Sequence, residues 1–195
     1  MHPILQRNLY FVKEHVGFFK AANNYDILDP ETNQIILNCR EERLGIFTKL
    51  LRFTDYKRLT PFEVIIRTPD GQPVLCVRRG IALLVSKVDV LDEREQRAGG
   101  FAQKFFSFRD KFTVLGENNQ PLCVLQGNWT SWDFAFKAGD QELARVSKQW
   151  AGLGKELFTS ADNYILQINP AVPPDSTLRM LILAAVMCID LVLKE

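Results

Sequence analysis

Residues that could perform acid–base or nucleophilic chemistry are few in this chain. It contains two histidines, His2 and His15, and four cysteines. Nucleophilic catalysis by serine or cysteine requires a base, most often histidine, beside the nucleophile. Neither histidine lies in such a motif, and no glycine-rich loop of the phosphate-binding kind is present. The sequence therefore predicts a protein that is not an enzyme and that uses no cofactor.

Basic residues are concentrated between Arg40 and Arg58, where six of them face only three acidic residues. A second basic pair ends a predicted strand just before Gly80. Such clusters can bind anionic lipid headgroups, because each basic residue near a charged membrane contributes about 1 kcal/mol. Ordinary surface charge is the alternative interpretation. The predicted lipid headgroup residues are Lys49, Arg52, Lys57, Arg58, Arg78 and Arg79.

Cysteine usage and net charge exclude several other functions. Cys39, Cys76, Cys123 and Cys188 are widely spaced in apolar runs, and no two have zinc-site spacing. We predict that they are reduced core residues, which fits a cytoplasmic compartment. The formal net charge of +1 provides no general attraction for nucleic acid, so we expect no nucleic-acid partner. Residues 1–20 lack the continuous apolar run of a secretory signal peptide.

Most of the chain consists of short β-rich runs separated by turn sequences such as Thr68-Pro69-Asp70-Gly71. Proline presets φ in a turn, and glycine accepts the left-handed conformation. Regular alternation of this kind predicts a sheet that closes on itself, as a sandwich or a barrel. Gly99-Gly100 is predicted to be a turn, and residues 44–53 are predicted to form a short surface helix. The predicted strands are Leu9–Val12, Val16–Phe19, Tyr25–Leu28, Gln34–Leu37, Phe62–Arg67, Pro73–Arg79, Lys111–Leu115, Pro121–Gln126, Trp132–Lys137, Glu142–Ser147 and Asn163–Ile168.

The apolar residues from Leu178 to Leu193 leave no polar face on a helix, and the charged residues Arg179 and Asp190 lie near its two ends. Such a helix belongs inside a protein core or a bilayer. Its residues would rise roughly 24 Å, which is short of the ~30 Å hydrocarbon core of a membrane. Pro173 and Pro174 precede it, with Asp175 or Ser176 as the N-cap. A barrel around the helix would cover all its sides, so we predict a core helix at about 175–193 within a single domain of residues 1–195.

Several motifs resemble the phospholipid scramblase family. They include Ser147-Lys148-Gln149-Trp150, Ala161-Asp162-Asn163-Tyr164, Asn23-Asn24-Tyr25 and the ending Cys188-Ile189-Asp190-Leu191. The resemblance extends from Ile4 to Glu195. The chain is also similar to LURP-one-related proteins, and both groups are related to the C-terminal domain of Tubby proteins. The resemblance implies a mainly β fold, a closed twelve-stranded β-barrel wrapped around a hydrophobic C-terminal α-helix.

Two features of scramblases are incomplete in this sequence. Scramblases carry a palmitoylated cysteine cluster, and none of the four cysteines here is clustered. They also carry an acidic calcium-binding segment, whose counterpart here begins at Ser160. Calcium takes six to eight oxygen ligands, and Asp162 is the single carboxylate at the alternating positions. Asp162 and Asn163 are therefore the only metal candidates, and we expect a strand and its leading turn rather than a calcium site.

The leading functional hypothesis is a non-catalytic, lipid-associated protein of phospholipid scramblase type. It would mediate passive transbilayer phospholipid movement or bind anionic lipid peripherally. The expected partner is an anionic phospholipid membrane surface, and the expected location is cytoplasmic, at the inner face of the membrane. The alternative is a soluble interaction or ligand-binding module on the same barrel, with no membrane role.

Overall fold

The computed structural model describes residues 1–14, 24–41, 61–80, 85–104, 112–128, 133–148 and 163–193. In this part of the chain, twelve strands form a closed barrel in which sequential strands pair antiparallel and β1 closes on β12. A 3-10 turn at Pro3–Gln6 precedes the barrel, and helix α1, Thr177–Leu193, follows it. The predicted closed twelve-stranded barrel with one C-terminal helix is confirmed. The strands are β1 (Leu9–Glu14), β2 (Tyr25–Leu28), β3 (Ile35–Glu41), β4 (Phe62–Arg67), β5 (Pro73–Arg79), β6 (Val85–Asp92), β7 (Arg97–Lys104), β8 (Phe112–Gly116), β9 (Pro121–Asn128), β10 (Asp133–Ala138), β11 (Gln141–Ser147) and β12 (Asn163–Ile168).

Helix α1 fills the barrel. The side chains from Met180 to Met187 are all 3% exposed or less. Side chains alone fill a barrel of about eight strands, and the diameter grows with strand number, so twelve strands leave room for a helix. The Oγ atom of Ser176 accepts a hydrogen bond from the Leu178 N–H at 3.3 Å, which makes Ser176 the N-cap.

The inner wall is built by alternation along the strands. Phe62, Val64 and Ile66 of β4 are buried, while the residues between them are partly exposed. Successive side chains of a strand point to opposite faces, so every second residue points into the core. The inward side chains and α1 form one continuous apolar core. Within it, the rings of Phe101 and Phe112 lie 5.1 Å apart.

The predicted turn at Gly99-Gly100 is wrong, because both glycines lie inside β7. A Cβ atom on Gly99 would lie 2.4 Å from the carbonyl oxygen of Leu115 and 3.0 Å from the methyl groups of Leu181. A Cβ atom on Gly100 would lie 2.2 Å from the carbonyl oxygen of Val88. The glycines therefore allow close strand and helix packing.

The other predicted elements match the structure to different degrees. Strands β2, β4, β5 and β12 have the predicted bounds, whereas β6 and β7 were not predicted at all. The predicted strand at Val16–Phe19 and the predicted helix at residues 44–53 lie outside the described residues.

The barrel has two distinct ends. At the first, which we call the hairpin end, short turns at residues 29–34, 68–72, 93–96, 117–120 and 139–140 join successive strands. Helix α1 also begins at this end, after the connection that follows β12. At the opposite end, which we call the far end, β3 finishes at Glu41, β4 starts at Phe62 and β5 finishes at Arg79. The connections at the far end lie largely outside the described residues.

Candidate functional site

The predicted headgroup residues are linked to the far end of the barrel by the chain connectivity. Arg78 and Arg79 end β5, and they pair with Glu63 and Phe62 at the start of β4. Lys49, Arg52, Lys57 and Arg58 lie outside the described residues, in the connection from β3 to β4. This connection starts and finishes at the same barrel end as the Arg78-Arg79 pair.

Arg78 presents its guanidinium on the outer face of the barrel, where 53% of its side chain is exposed. Its Nη2 and Nε atoms donate hydrogen bonds to Oε1 of Glu63 at 2.5 and 3.1 Å. The hydrogen bond to the Glu63 carboxylate raises the pKa of Arg78 above its ordinary value. Arg78 is therefore a permanent surface cation that already has an acidic neighbour.

Arg79 points the other way, into the end of the barrel, and is 3% exposed. Its guanidinium carbon lies 4.7 Å from the centre of the Phe62 ring, a cation–π contact. Adjacent residues of a strand face opposite sides, which separates Arg78 from Arg79. The headgroup role of Arg79 stays a prediction, and its burial weighs against direct contact with a membrane.

The segment compared with the calcium site is a strand from the point where the described residues resume, at Asn163. Asn163 is the first residue of β12, pairs with Lys13 of β1 and is 6% exposed. Asp162 lies outside the described residues. In the described ranges, no group of three histidine, cysteine, aspartate or glutamate residues could hold a metal ion.

The described thiols are poorly suited to nucleophilic chemistry. Cys39 and Cys123 are buried and Cys76 is partly buried, and none of the three forms a disulfide. Burial raises the pKa of Cys76 to about 11 and that of Cys123 to about 12, and it raises the pKa of Cys39 as well. A thiol reacts as the thiolate, so these groups remain in the inactive form at neutral pH.

Arg179, in the first turn of α1, is a residue whose role the sequence analysis missed. It is 1% exposed and lies at the hairpin end. Its guanidinium donates hydrogen bonds to uncharged oxygens of the N-terminal segment and of the connection before α1. These acceptors are the backbone oxygens of Gln6, Arg7, Val172 and Pro173 and the Oδ1 atom of Asn8, at 2.6–3.2 Å.

A membrane-spanning helix is absent from the described part of the chain. None of the helices there combines the length and the apolar character needed to cross a bilayer.

Comparison with known proteins gives a consistent result. The family model described as Scramblase matches residues 4–195. The chain is 22% identical over 191 residues to "Altered inheritance rate of mitochondria protein 25" of Saccharomyces cerevisiae, covering 85% of this chain and 58% of that protein. It is 26% identical over 132 residues to "Phospholipid scramblase 1" of Mus musculus, covering 64% of this chain and 40% of that protein. The chain therefore spans only about half the length of these two relatives.

A solved structure of a protein from Arabidopsis thaliana has a similar fold, with a TM-score of 0.54 at 15% sequence identity. The similarity covers 97% of this chain and 94% of that one. At this level of identity the comparison supports the Tubby-like barrel fold alone.

Proposed function

Because the chain belongs to the Scramblase family, we propose that it is a non-catalytic protein that binds anionic phospholipid membranes peripherally and reversibly. The observation that supports this proposal most strongly is the family match over residues 4–195. Helix α1 contributes its side chains to the barrel core, so the proposed contact is electrostatic and involves the outer surface.

The proposed contact uses the far end of the barrel. Arg78 is exposed there, and the connection that contains Lys49, Arg52, Lys57 and Arg58 joins the strands beside it. Each basic residue near an anionic leaflet contributes about 1 kcal/mol, and the anionic leaflet of a cell membrane is the cytoplasmic one. The attraction decays over about 8 Å at physiological salt. Binding is therefore expected to depend strongly on ionic strength.

Flotation with liposomes tests this proposal. The protein is mixed with vesicles of phosphatidylcholine alone, or with added phosphatidylserine, at about 0.1 M and about 0.5 M salt. We expect flotation only with the anionic vesicles and only at low salt, because salt shortens the screening length. Calcium is expected to have no effect, since Asp162 is the one carboxylate at the alternating positions of the compared segment.

A matched pair of variants locates the contact. Lys57→Glu with Arg58→Glu should abolish flotation, whereas Arg94→Glu with Lys137→Glu makes the same charge change at the hairpin end and should leave flotation intact. Equal flotation with neutral and anionic vesicles, or none with either, would contradict the lipid proposal. That result would favour a soluble interaction module on the same barrel.

Passive transbilayer movement is the stronger form of the proposal. Reconstitution into vesicles that carry a fluorescent phospholipid tests it by measuring how much label becomes accessible from outside. The movement would require no catalytic residue, so a dependence on ATP would contradict this form.

A further inference from the structure

A pocket of about 390 Å³ opens at the hairpin end, between the turns after β6 and β8 and the start of α1. Leu122, Met180 and Leu181 form an apolar part of its lining. Met180 and Leu181 belong to the helix and are 3% and 0% exposed. Small-molecule sites occupy roughly 300–1,000 Å³ and combine apolar walls with a few polar groups. This pocket has that size and composition.

The charged groups of the pocket favour a cation. Three acidic residues line it, Asp92, Glu93 and Glu117, together with two positive groups, the Arg97 guanidinium and the α-ammonium group of Met1. The Arg97 guanidinium donates to Asp89 Oδ1 at 2.8 Å, to the backbone oxygen of Glu117 and to Asn119. Its positive charge is therefore engaged by the surrounding turns, and the lining keeps an excess of one negative charge.

Glu93 supplies a hydrogen-bond acceptor at the pocket. Its Oε1 atom forms an ion pair with the α-ammonium group of Met1 at 3.2 Å, and Met1 also lines the pocket. Its Oε2 atom is buried and has no hydrogen-bond partner in the described part of the chain. Buried polar atoms normally have a partner, so this oxygen is positioned to accept a donor from a ligand. The Glu93 N–H lowers the pKa of the carboxyl group, which keeps it ionised at neutral pH.

Two other ligand classes fit less well. A metal ion would need convergent ligands, and no group of three suitable side chains is present among the described residues. An anion would need unpaired donors at the start of α1. There the Ser176 hydroxyl accepts from the Leu178 N–H at 3.3 Å, and the Ser176 carbonyl accepts from the Arg179 N–H at 3.0 Å.

We propose that this pocket binds a small organic cation, a primary ammonium group attached to an apolar body. The ammonium group donates hydrogen bonds to Glu93 and Glu117, and the apolar body contacts Leu122, Met180 and Leu181. The proposal does not depend on the lipid proposal, because Arg78 lies at the opposite end of the barrel.

Calorimetric titration of the full chain with hexylammonium tests the pocket directly. Hexanol and hexanoate, which have the same chain length, test the requirement for positive charge. We expect hexylammonium to bind more tightly than hexanol, and hexanoate not to bind. Glu93→Gln should weaken hexylammonium binding about tenfold or more, since hydrogen bonds to charged groups are the strong ones. The same substitution should leave hexanol binding unchanged.

Asp140→Asn is the matched control, because it removes one negative charge from the turn between β10 and β11, away from the pocket lining. It should leave hexylammonium binding unchanged. Equal binding of hexanoate, or full binding by the Glu93→Gln variant, would overturn the proposal. Binding of soluble glycerophosphoethanolamine without hexylammonium binding would assign the pocket to a lipid headgroup and would also overturn it. Displacement of hexylammonium by calcium at matched ionic strength would indicate a metal site instead.

Discussion

Two arginines, one inside the hairpin end and one on the outer wall of the barrel, differ in their exposure and in the charge of their hydrogen-bond partners. Inside, Arg179 is 1% exposed, and its described hydrogen bonds all go to uncharged oxygens. Outside, Arg145 is 49% exposed and donates to Asp133 Oδ1 and Oδ2 at 2.9 and 2.8 Å. The Arg179 guanidinium thus links α1 to the N-terminal segment and to the connection before the helix. The Arg145 guanidinium links β11 to the neighbouring strand β10.

The difference shows where charge contributes to stability in this fold. Exposed ion pairs are solvated in both the folded and unfolded states, so they contribute little. Removing a buried donor leaves several desolvated acceptors without partners, each of which costs about 1–3 kcal/mol. The interior arginine should therefore determine stability, and the surface arginines remain available for binding.

The largest expected effect follows from replacing the buried arginine. Arg179→Met should lower the free energy of unfolding by about 3–5 kcal/mol, because each oxygen that it contacts loses one hydrogen-bond donor. Arg145→Met, the matched surface change, should cost less than about 1 kcal/mol. Urea denaturation of both variants measures the difference, and equal midpoints would refute the contrast.

The helix core provides a second test of the same contrast. Leu183 is 1% exposed, so Leu183→Ala should cost about 2–5 kcal/mol through lost burial and the cavity that remains. Leu91, partly exposed on β6, provides a matched control, and Leu91→Ala should cost clearly less. If both leucine variants had the same free energy of unfolding, the packing of α1 would not contribute more to stability than the outer residues of the barrel.

An intermediate effect is expected from pH, at the turn between β2 and β3. Asp29 accepts hydrogen bonds from the Glu31 N–H at 2.9 Å and from Arg7 Nη1 at 2.5 Å. The backbone hydrogen bond from Glu31 is the main cause of a lowered pKa for Asp29. A lowered folded-state pKa stabilises the fold above the unfolded-state value of about 3.9, and this stabilisation is lost as pH falls through the folded-state pKa.

Denaturation between neutral and acidic pH checks this contribution. Asp29→Asn should cost about 1 kcal/mol at pH 6 and nothing at the acidic end, where the aspartate is protonated. A stability difference between the two proteins that is the same at every pH would contradict a role for the ionised carboxylate.

The smallest expected effect concerns the exposed pair itself. A double-mutant cycle on Arg145 and Asp133 should give a coupling of less than about 1 kcal/mol, which decreases further with added salt. A coupling that is insensitive to salt would show that this exposed pair behaves like a buried one.

Local sequence patterns predicted much of the fold. Strands β4 and β5 flank a proline- and glycine-containing turn, and their bounds were predicted correctly. Strands β6 and β7 were missed for local reasons as well. The mostly charged residues at positions 92–97 lack the apolar alternation of a strand, so the start of β7 gives no strand signal. Gly99-Gly100 has the composition of a turn. The requirement for glycine there arises from Leu115 and Leu181, which are distant in sequence.

The candidate sites were predicted less completely. The sequence identified Arg78 and Arg79 as a pair, and strand alternation then separated an exposed residue from a buried one. The pocket beside Glu93 combines two turns with the start of α1, and no contiguous motif indicates it.

Local patterns in the sequence are enough to predict a C-terminal helix without a polar face and a series of short strands, and its motifs identified the family. These properties are local, since they depend on periodicity and on turn residues within a few positions. The hydrogen bonds of Arg179 and the position of the pocket, in contrast, depend on the folded barrel. Arg179 donates to Asn8, 171 residues away in the chain. Such contacts form only when the barrel closes and joins the N-terminal segment, the last strand and the helix at one end.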